Sequence, residues 1–324
     1  MKARVLVCLL VLVVLTGCSG GGGDQAGPDR LFISIGTAPV GGVFYTVGGA
    51  VADVLTQASS DLNWRVSAES TGGSMENIRR LDSGEIQFGI SNSSITYFAV
   101  RGQEGWEKAF SVKSVMTLFP NVAMFVTRQD SGIDSIQDLA GKRVSIGPQG
   151  AGFEYFVRPL VQGHGLTFDD FETVFAGQQS SVDYLGDGSI AAAFLGGGVP
   201  TASITSAASS MDVKLVPFGE IERQQLVDRY PFFHSAVIPA GTYRGQDNDY
   251  SGLNVGSAHI IVHTDTDEQL VYEFTKRLYE NRVAVAEKHR AARAINPQNV
   301  VTETGTEFHP GAIRFYQEAG IWPN

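Results

Sequence analysis

From Leu31 onward, short apolar runs with a period of two alternate with stretches whose apolar residues recur every three or four positions, and glycine-rich segments stand at the junctions. "LFISIG" (31–36), "NWRVSAES" (63–70) and "EIQFGIS" (85–91) read as strands. "TVGGAVADVLTQAS" (46–59) and "SMENIRRLDSG" (74–84) read as helices, the second with Met75, Ile78 and Leu81 on one face and Gly84 as its stop. Strand–helix–strand units repeated in this way imply a parallel α/β sheet with right-handed crossovers. A second set follows: an extended run at 122–128, then a Ser135/Asp138 capping-box spacing ahead of a short helix, a Gly141 stop and a strand. A helix over 151–165 should bend near Pro159. Residues 188–209 give an apolar strand, a glycine loop and a helix, and 255–265 give one more strand. Residues 267–289 read as one long amphipathic helix, and "GAIRFYQEAG" closes the chain.

The N-terminus reads differently. Lys2 and Arg4 precede an apolar run, 5–15, that is too short to span a bilayer, and it ends in "LTGC" with Cys18 last. This is the pattern of a bacterial lipoprotein signal over 1–17, with Cys18 lipidated; the bland alternative is an ordinary secretory signal with a chance cysteine. Residues 18–30, "CSGGGGDQAGPDR", form a flexible tether without core-forming residues. Cleavage before Cys18 leaves 307 of the 324 residues, long for one core and natural for two lobes. The only cysteines are Cys8 and Cys18, so the body has neither a disulfide nor a cysteine-based metal site. Without Lys2 and Arg4 the chain carries 22 basic against 34 acidic residues, net −12, which argues against nucleic acid as a partner. A small anion is not excluded, because a local array of N–H donors can hold one inside an acidic protein.

Four glycine-rich junctions each follow a strand and precede a helix: "GTAPVGGVFYTVGG", "STGGSMEN", "IGPQGAGFE" and "LGGGVPTAS". In open α/β sheets ligands bind there, where first-turn N–H groups are unpaired and glycine lets bare backbone approach. Any one such loop reads more simply as a turn. "GPQGAG" has the wrong spacing for a dinucleotide fingerprint, and no phosphate-loop ending, G-x-S-x-G elbow or H-E-x-x-H is present. His259 and His263 lie four apart in a strand without a third ligand and read as packing residues. His309 precedes a Pro-led helix start, a structural position. Asn92, Ser93 and Ser94 at a strand end either offer neutral donors to a carboxylate or amide, or supply a helix N-cap through Ser93 or Ser94. Tyr45 either donates to a ligand or packs in the core.

The ordered set "IGTAPVGGVFYTVGGAVADVL", "ESTGGSMENIRRLDSGEIQFGISNSS", "DSGIDSIQDLAGKRVSIGPQGAGFE", "AAAFLGGGVPTASI", "IPAGTYRGQ" and "FHPGAIRFYQEAGI" resembles the solute-binding subunits of TRAP transporters of the TAXI type. The resemblance implies an α/β, two-lobed, periplasmic-binding-protein-like (type II) fold with the ligand cleft between the lobes. Lobe 1 would be 31–125 plus 256–324, and lobe 2 would be 126–255. It implies a monomeric, non-enzymatic protein without cofactor or metal. Such a protein captures a small carboxylate or amino acid, such as glutamate or 2-oxoglutarate, and delivers it to a TRAP permease. Its place would be the periplasm or cell surface, held to the membrane through Cys18. The ligand-contacting candidates are Thr37, Tyr45, Thr71, Gly72, Gly73, Ser74, Asn92, Ser93, Gly150, Ala151, Gly152, Phe153, Gly197, Gly198 and Val199. Gly72 and Gly73 would give backbone N–H groups to a ligand carboxylate, with a hydroxyl from Ser74. The chain departs from the family at Phe44, Ser94, Ala151 and Phe153, where polar groups are more usual, which points to a less polar ligand or a different hold. A sensory protein presenting its ligand to a membrane receptor has the same binding chemistry. An enzyme on a related fold would need a paired base and nucleophile, which the sequence lacks.

Overall fold

The structure is a computed structural model that describes residues 30–40 and 42–323. The signal segment, Cys18 and the tether before Arg30 lie outside the described residues. In chain order the first elements are β1 (Leu31–Gly36), α1 (Val43–Ala58), β2 (Trp64–Glu69), α2 (Ser74–Asp82), β3 (Phe88–Asn92), α3 (Ser93–Ala99) and β4 (Val112–Phe119). Then come β5 (Val122–Ala123), β6 (Phe125–Arg128), β7 (Arg143–Ser145), α4 (Glu154–Gly163), β8 (Glu172–Val174), α5 (Gln178–Gly186), β9 (Ala192–Phe194), α6 (Ala202–Ser210) and β10 (Val213–Val216). The chain continues through α7 (Glu220–Arg229), β11 (Phe233–Ile238), β12 (Tyr250–Val255), β13 (Ala258–His263), α8 (Glu268–Glu280), α9 (Arg282–Lys288) and α10 (Pro310–Glu318).

The strands form a five-stranded sheet in the order β2-β1-β3-β13-β4, a second in the order β10-β6-β9-β7-β8, and a three-stranded sheet β11-β12-β5. The fold is α/β, with two open five-stranded sheets and a small three-stranded sheet. The chain leaves the first sheet at Phe119, enters the second at Phe125, and returns to the first at Ala258. Neither large sheet is wholly parallel, as the strand–helix alternation had implied. In the first, β1 runs parallel to β2 and β3, but β13 is antiparallel to β3 and β4. In the second, β7 runs parallel to β8 and β9, but β6 is antiparallel to β9 and β10. The two reversed strands are those entering straight from the other part of the chain, so no crossover helix constrains their direction.

Two elements differ from expectation. The long helix over 267–289 is broken at Asn281, whose side-chain amide takes the Arg277 carbonyl at 2.8 Å and whose ψ of 16° leaves the helical path. The Ser135/Asp138 spacing caps a single 3₁₀ turn, Ile136–Leu139, with Asp138 Oδ2 accepting from Ser135 N at 2.8 Å. His309 caps α10, its Nδ1 accepting from Gly311 N. Pro159 sits inside α4. No helix among the described residues is long and apolar enough to cross a membrane.

One apolar cluster fills the space between the first sheet and α1, α8 and α10, where Phe88 and Phe274 stack at 3.8 Å between ring centroids. A second runs from Ile78, Leu81 and Ile95 on α2 and α3 into Phe156, Leu160 and Phe194 around the second sheet. Because this cluster is continuous, the apolar faces of α3 and α4 bury one another. Phe98 lies 5.9 Å from Tyr155 and 5.7 Å from Phe232.

Candidate functional site

Three helices start at the carboxyl ends of β1, β2 and β3, and a buried hydrogen-bond network ties those ends together. Asn77, one turn into α2, donates from Nδ2 to Thr37 O (2.7 Å) and Ile90 O (2.8 Å), clamping the exit of β1 to β3. Thr37 Oγ1 donates to Glu69 O at 2.6 Å, which joins β2 to the same clamp. Ser74 Oγ accepts from Asn92 N at 2.9 Å. Asn92 is itself the N-cap of α3: its Oδ1 accepts from Ser94 N (2.9 Å) and Ser94 Oγ (2.6 Å), and its Nδ2 donates to Gly256 O. Neither Ser93 nor Ser94 is therefore the cap. Ser93 N donates to Ser257 O, while Ser93 Oγ is buried without a partner among the described residues. Asn77 Oδ1 is likewise buried and unpaired.

The glycines of the β2–α2 loop serve the turn first. Gly73 adopts φ +105°, which a side chain would strain, and it donates its N–H to Thr71 Oγ1 at 3.1 Å. Gly72 N–H goes to Glu76 Oε2 at 2.8 Å. The two amides that sequence reasoning gave to a ligand carboxylate are thus taken within the loop. A glutamate three positions after Gly73 is the sequence signal for this, a capping pattern with glycine at the cap. The first helical bond of α2 runs from Asn77 N to Gly73 O, so the amides of Ser74, Met75 and Glu76 precede it and face away from the helix.

On the other side stand the loops after β7 and β9. Phe153 packs its ring over Gly147 and against Phe156 and Phe194, with centroids 5.1 and 5.9 Å away, inside the aromatic core of the second sheet. Ala151 N donates to Pro148 O. Gly197 exchanges both backbone hydrogen bonds with Val122, at 2.9 and 3.0 Å, so it belongs to the crossing strand rather than to an open loop. Thr201 N, at the start of α6, donates to the Tyr243 hydroxyl at 2.9 Å.

The two sets of loops meet. Gly152, at φ +86°, lies so close to α2 and α3 that a Cβ there would stand 2.8 Å from Ile95 Cδ1 and 3.2 Å from Met75 Cγ. Gly198 faces Val43 at the start of α1, with Phe119 and Ala291 beside it. A cavity of about 610 Å³ has Met75, Phe98, Gly150 and Tyr155 in its wall. Another, of about 500 Å³, lies where the chain crosses between the sheets and is lined by Phe119, Gly198, Val199, His234, Asn254 and Arg290, among others. Tyr45 is set apart: it borders a third cavity, with Asp53, Val66 and Lys288, that contains no other candidate residue. Phe44 is the neighbour that turns toward the crossing, its ring 5.9 Å from Phe119.

The histidines hold structure. His259 is fully buried, with Nε2 2.8 Å from Thr96 Oγ1 and Nδ1 3.3 Å from Ser114 Oγ; burial pulls its pKa down to about 3 and keeps it neutral. His263 Nδ1 accepts from Asp265 N. His234 and Arg290, which line the cavity where the chain crosses between the sheets, are not among the candidates the sequence offers. Arg290 sits in "EKHRAARA", which reads as the charged end of a helix, so no local signal marks it.

The model of the NMT1-like family matches residues 35–320. Two structures of XAC2383 from Xanthomonas citri, one bound to chloride ion and one to ATP, superpose with a TM-score of 0.52 at 12% identity. They cover 90% of this chain and 97% and 96% of their own. The periplasmic aliphatic sulphonate binding protein SsuA from Escherichia coli aligns at a TM-score of 0.47 and 12% identity, over 90% of this chain and 79% of that one. The XAC2383 likeness is one of fold. The match over nearly the whole described chain settles the family: this protein belongs to the NMT1-like family.

Proposed function

We propose that this protein is an extracytoplasmic solute-binding protein that captures a small organic acid between its two lobes and delivers it to a TRAP-type permease. The observation that carries this reading is the opposition of the strand-end loops, with Gly152 of one side seated on Ile95 and Met75 of the other. Loops from two sheets facing each other at helix starts make a place where a small molecule is enclosed from both sides. Lobe 1 comprises 31–125 and 256–324, and lobe 2 comprises 126–255, so that hinge motion at the crossing strands opens and closes the cleft. In this reading the cleft lies between the starts of α2 and α3, with Ser74, Asn92 and Ser93, and the facing segments 150–152 and 198–199. Within it the first-turn amides of α2 and the unpaired Ser93 Oγ are the groups left to bind. The resemblance to TAXI subunits supports the permease partner, and the "LTGC" signal supports attachment through Cys18.

Isothermal titration with L-glutamate, 2-oxoglutarate and monocarboxylic acids tests the binding role. One-to-one binding of at least one acid, without turnover, is expected, and no binding by any of them would remove the reading. Phase partition of the cell-made chain against Cys18→Ser tests the anchor: the wild type should enter the detergent phase and the variant should not.

A further inference from the structure

The half of the chain built on the first sheet and the half built on the second also meet through a line of aromatic rings. It begins at Phe232, which is fully buried and precedes Phe233, the register partner of Val255 at the end of β12. Phe98 of α3 lies 5.7 Å from Phe232 and 5.9 Å from Tyr155 of α4, and Tyr155 lies 5.9 Å from Trp106. The two ends of this line differ. At Phe232 it is sealed, with Tyr97 at 5.1 Å and Phe233 at 4.9 Å. At Tyr155 it is hollow. This ring is only half-buried, and the cavity of about 610 Å³ beside it has Met75, Phe98 and Gly105 of one half and Gly150, Glu154 and Arg158 of the other in its wall. Core side chains pack without hollows of this size, whereas surfaces that part and meet again need not.

The seat of Tyr155 is built by the first half alone. Trp106 is 5% exposed and packs edge-on to Phe110 at 5.1 Å. The Arg79 guanidinium lies over the Trp106 ring, 4.9 Å from its centroid. Arg79 is in turn held by Glu107, with Nε donating to Oε1 at 3.1 Å and Nη2 to Oε2 at 3.2 Å. Tyr155 brings one ring to this seat from the first turn of α4, and the next residue, Phe156, is fixed in the second sheet's core 5.5 Å from Phe194. We propose that Tyr155 is a latch: docked against Phe98 and Trp106, its ring holds the two halves together, and its release lets the cleft open with Phe232 as the pivot. This rests on the solute-binding reading with its two lobes. A closure supported by the chain's own rings sets the fraction of molecules in the closed form, and a solute that binds that form gains affinity in proportion. Loss of the latch therefore weakens every solute by one common factor, whereas loss of a contact to the solute changes their rank.

The test is small-angle X-ray scattering of the purified chain, joined to isothermal titration with L-glutamate and 2-oxoglutarate, on wild type, Tyr155→Phe, Tyr155→Ala and Tyr155→Leu. Without solute, Tyr155→Ala should have a larger radius of gyration than wild type, and Tyr155→Phe should match wild type because the ring makes the contact. The affinities of Tyr155→Ala for both acids should fall together, by about tenfold, as for the loss of aromatic pairs, and saturating acid should restore the wild-type radius. Tyr155→Leu keeps an apolar side chain should the alanine variant not fold, and it should open in the same way. If the folded alanine or leucine variant keeps the wild-type radius, or if the two affinities change by different factors, the latch is wrong while the solute-binding role stands. A chain that folds with neither substitution makes Tyr155 part of one undivided core and overturns the latch as well. If neither acid binds wild type, the scattering alone decides the latch, and the failure falls on the acid-binding reading.

Discussion

The ends of β1, β2 and β3 and the cavity at the crossing strands are built from similar residues, yet they use them in opposite ways. At the strand ends, Thr37, Ser74, Asn77 and Asn92 are buried and engaged with backbone groups of neighbouring elements. In the wall of the cavity at the crossing strands, exposed Arg290 and buried His234 Nε2 have no hydrogen-bond partner among the described residues. A polar group satisfied by the fold defines geometry, and one left unsatisfied in a cavity is available for recognition. Polar residues beside glycine at a strand end therefore do not by themselves mark a binding surface.

The contrast can be broken by substitution. The largest effect concerns pH. His259 is held at about 3 in the folded state against 6.5 for the free group. The unfolded chain then binds more protons between those values, so stability is fully present above about pH 6.5 and falls as pH drops toward 3. Urea titrations from pH 7 to pH 4 should show a loss on the order of 3 kcal/mol, and His259→Gln should flatten that slope. A slope unchanged by the substitution would remove His259 from the scaffold. Next is Asn77→Ala, which leaves two buried carbonyls without donors and should cost about 2–4 kcal/mol, read as a shift in urea midpoint. Gly152→Val follows: it forces a branched residue into φ +86° against Ile95, with about 1–3 kcal/mol of strain. Its clearest readout is affinity for the bound acid, which should fall about tenfold or more as the loops are held apart. The smallest is Glu76→Ala, which frees the exposed Gly72 amide and should cost about 1 kcal/mol. If acid binding improves in Glu76→Ala, the β2–α2 loop holds the carboxylate after all.

Much of the fold was legible because burial imposes a period. Ile78 and Leu81 share the buried face of α2, as the sequence pattern requires, and Phe88 and Ile90 enter one core cluster together, although every residue of β3 is buried. The reversed strands β6 and β13 and the sheet β11-β12-β5 were not legible, because strand direction is set by a partner far away in the chain. The break at Asn281 was hidden because the apolar spacing continues through it. The site was legible as a set of loops but not as a set of free donors. Glu76 and Thr71 take the Gly72 and Gly73 amides through contacts that only the turn brings about. Phe153 could cover a ligand or fill a core, and only the position of Gly147, Phe156 and Phe194 places its ring inside the second sheet's aromatic cluster.

The central claim is that one solute is enclosed from both sides, by the strand-end loops of the first sheet and those of the second. Hydrogen exchange with and without the tightest-binding acid measures this directly. The account predicts slower exchange in segments 70–95, 147–153 and 195–201 together, at one saturating concentration. Slowing confined to one side of the crossing strands, or to a surface away from both, would contradict it.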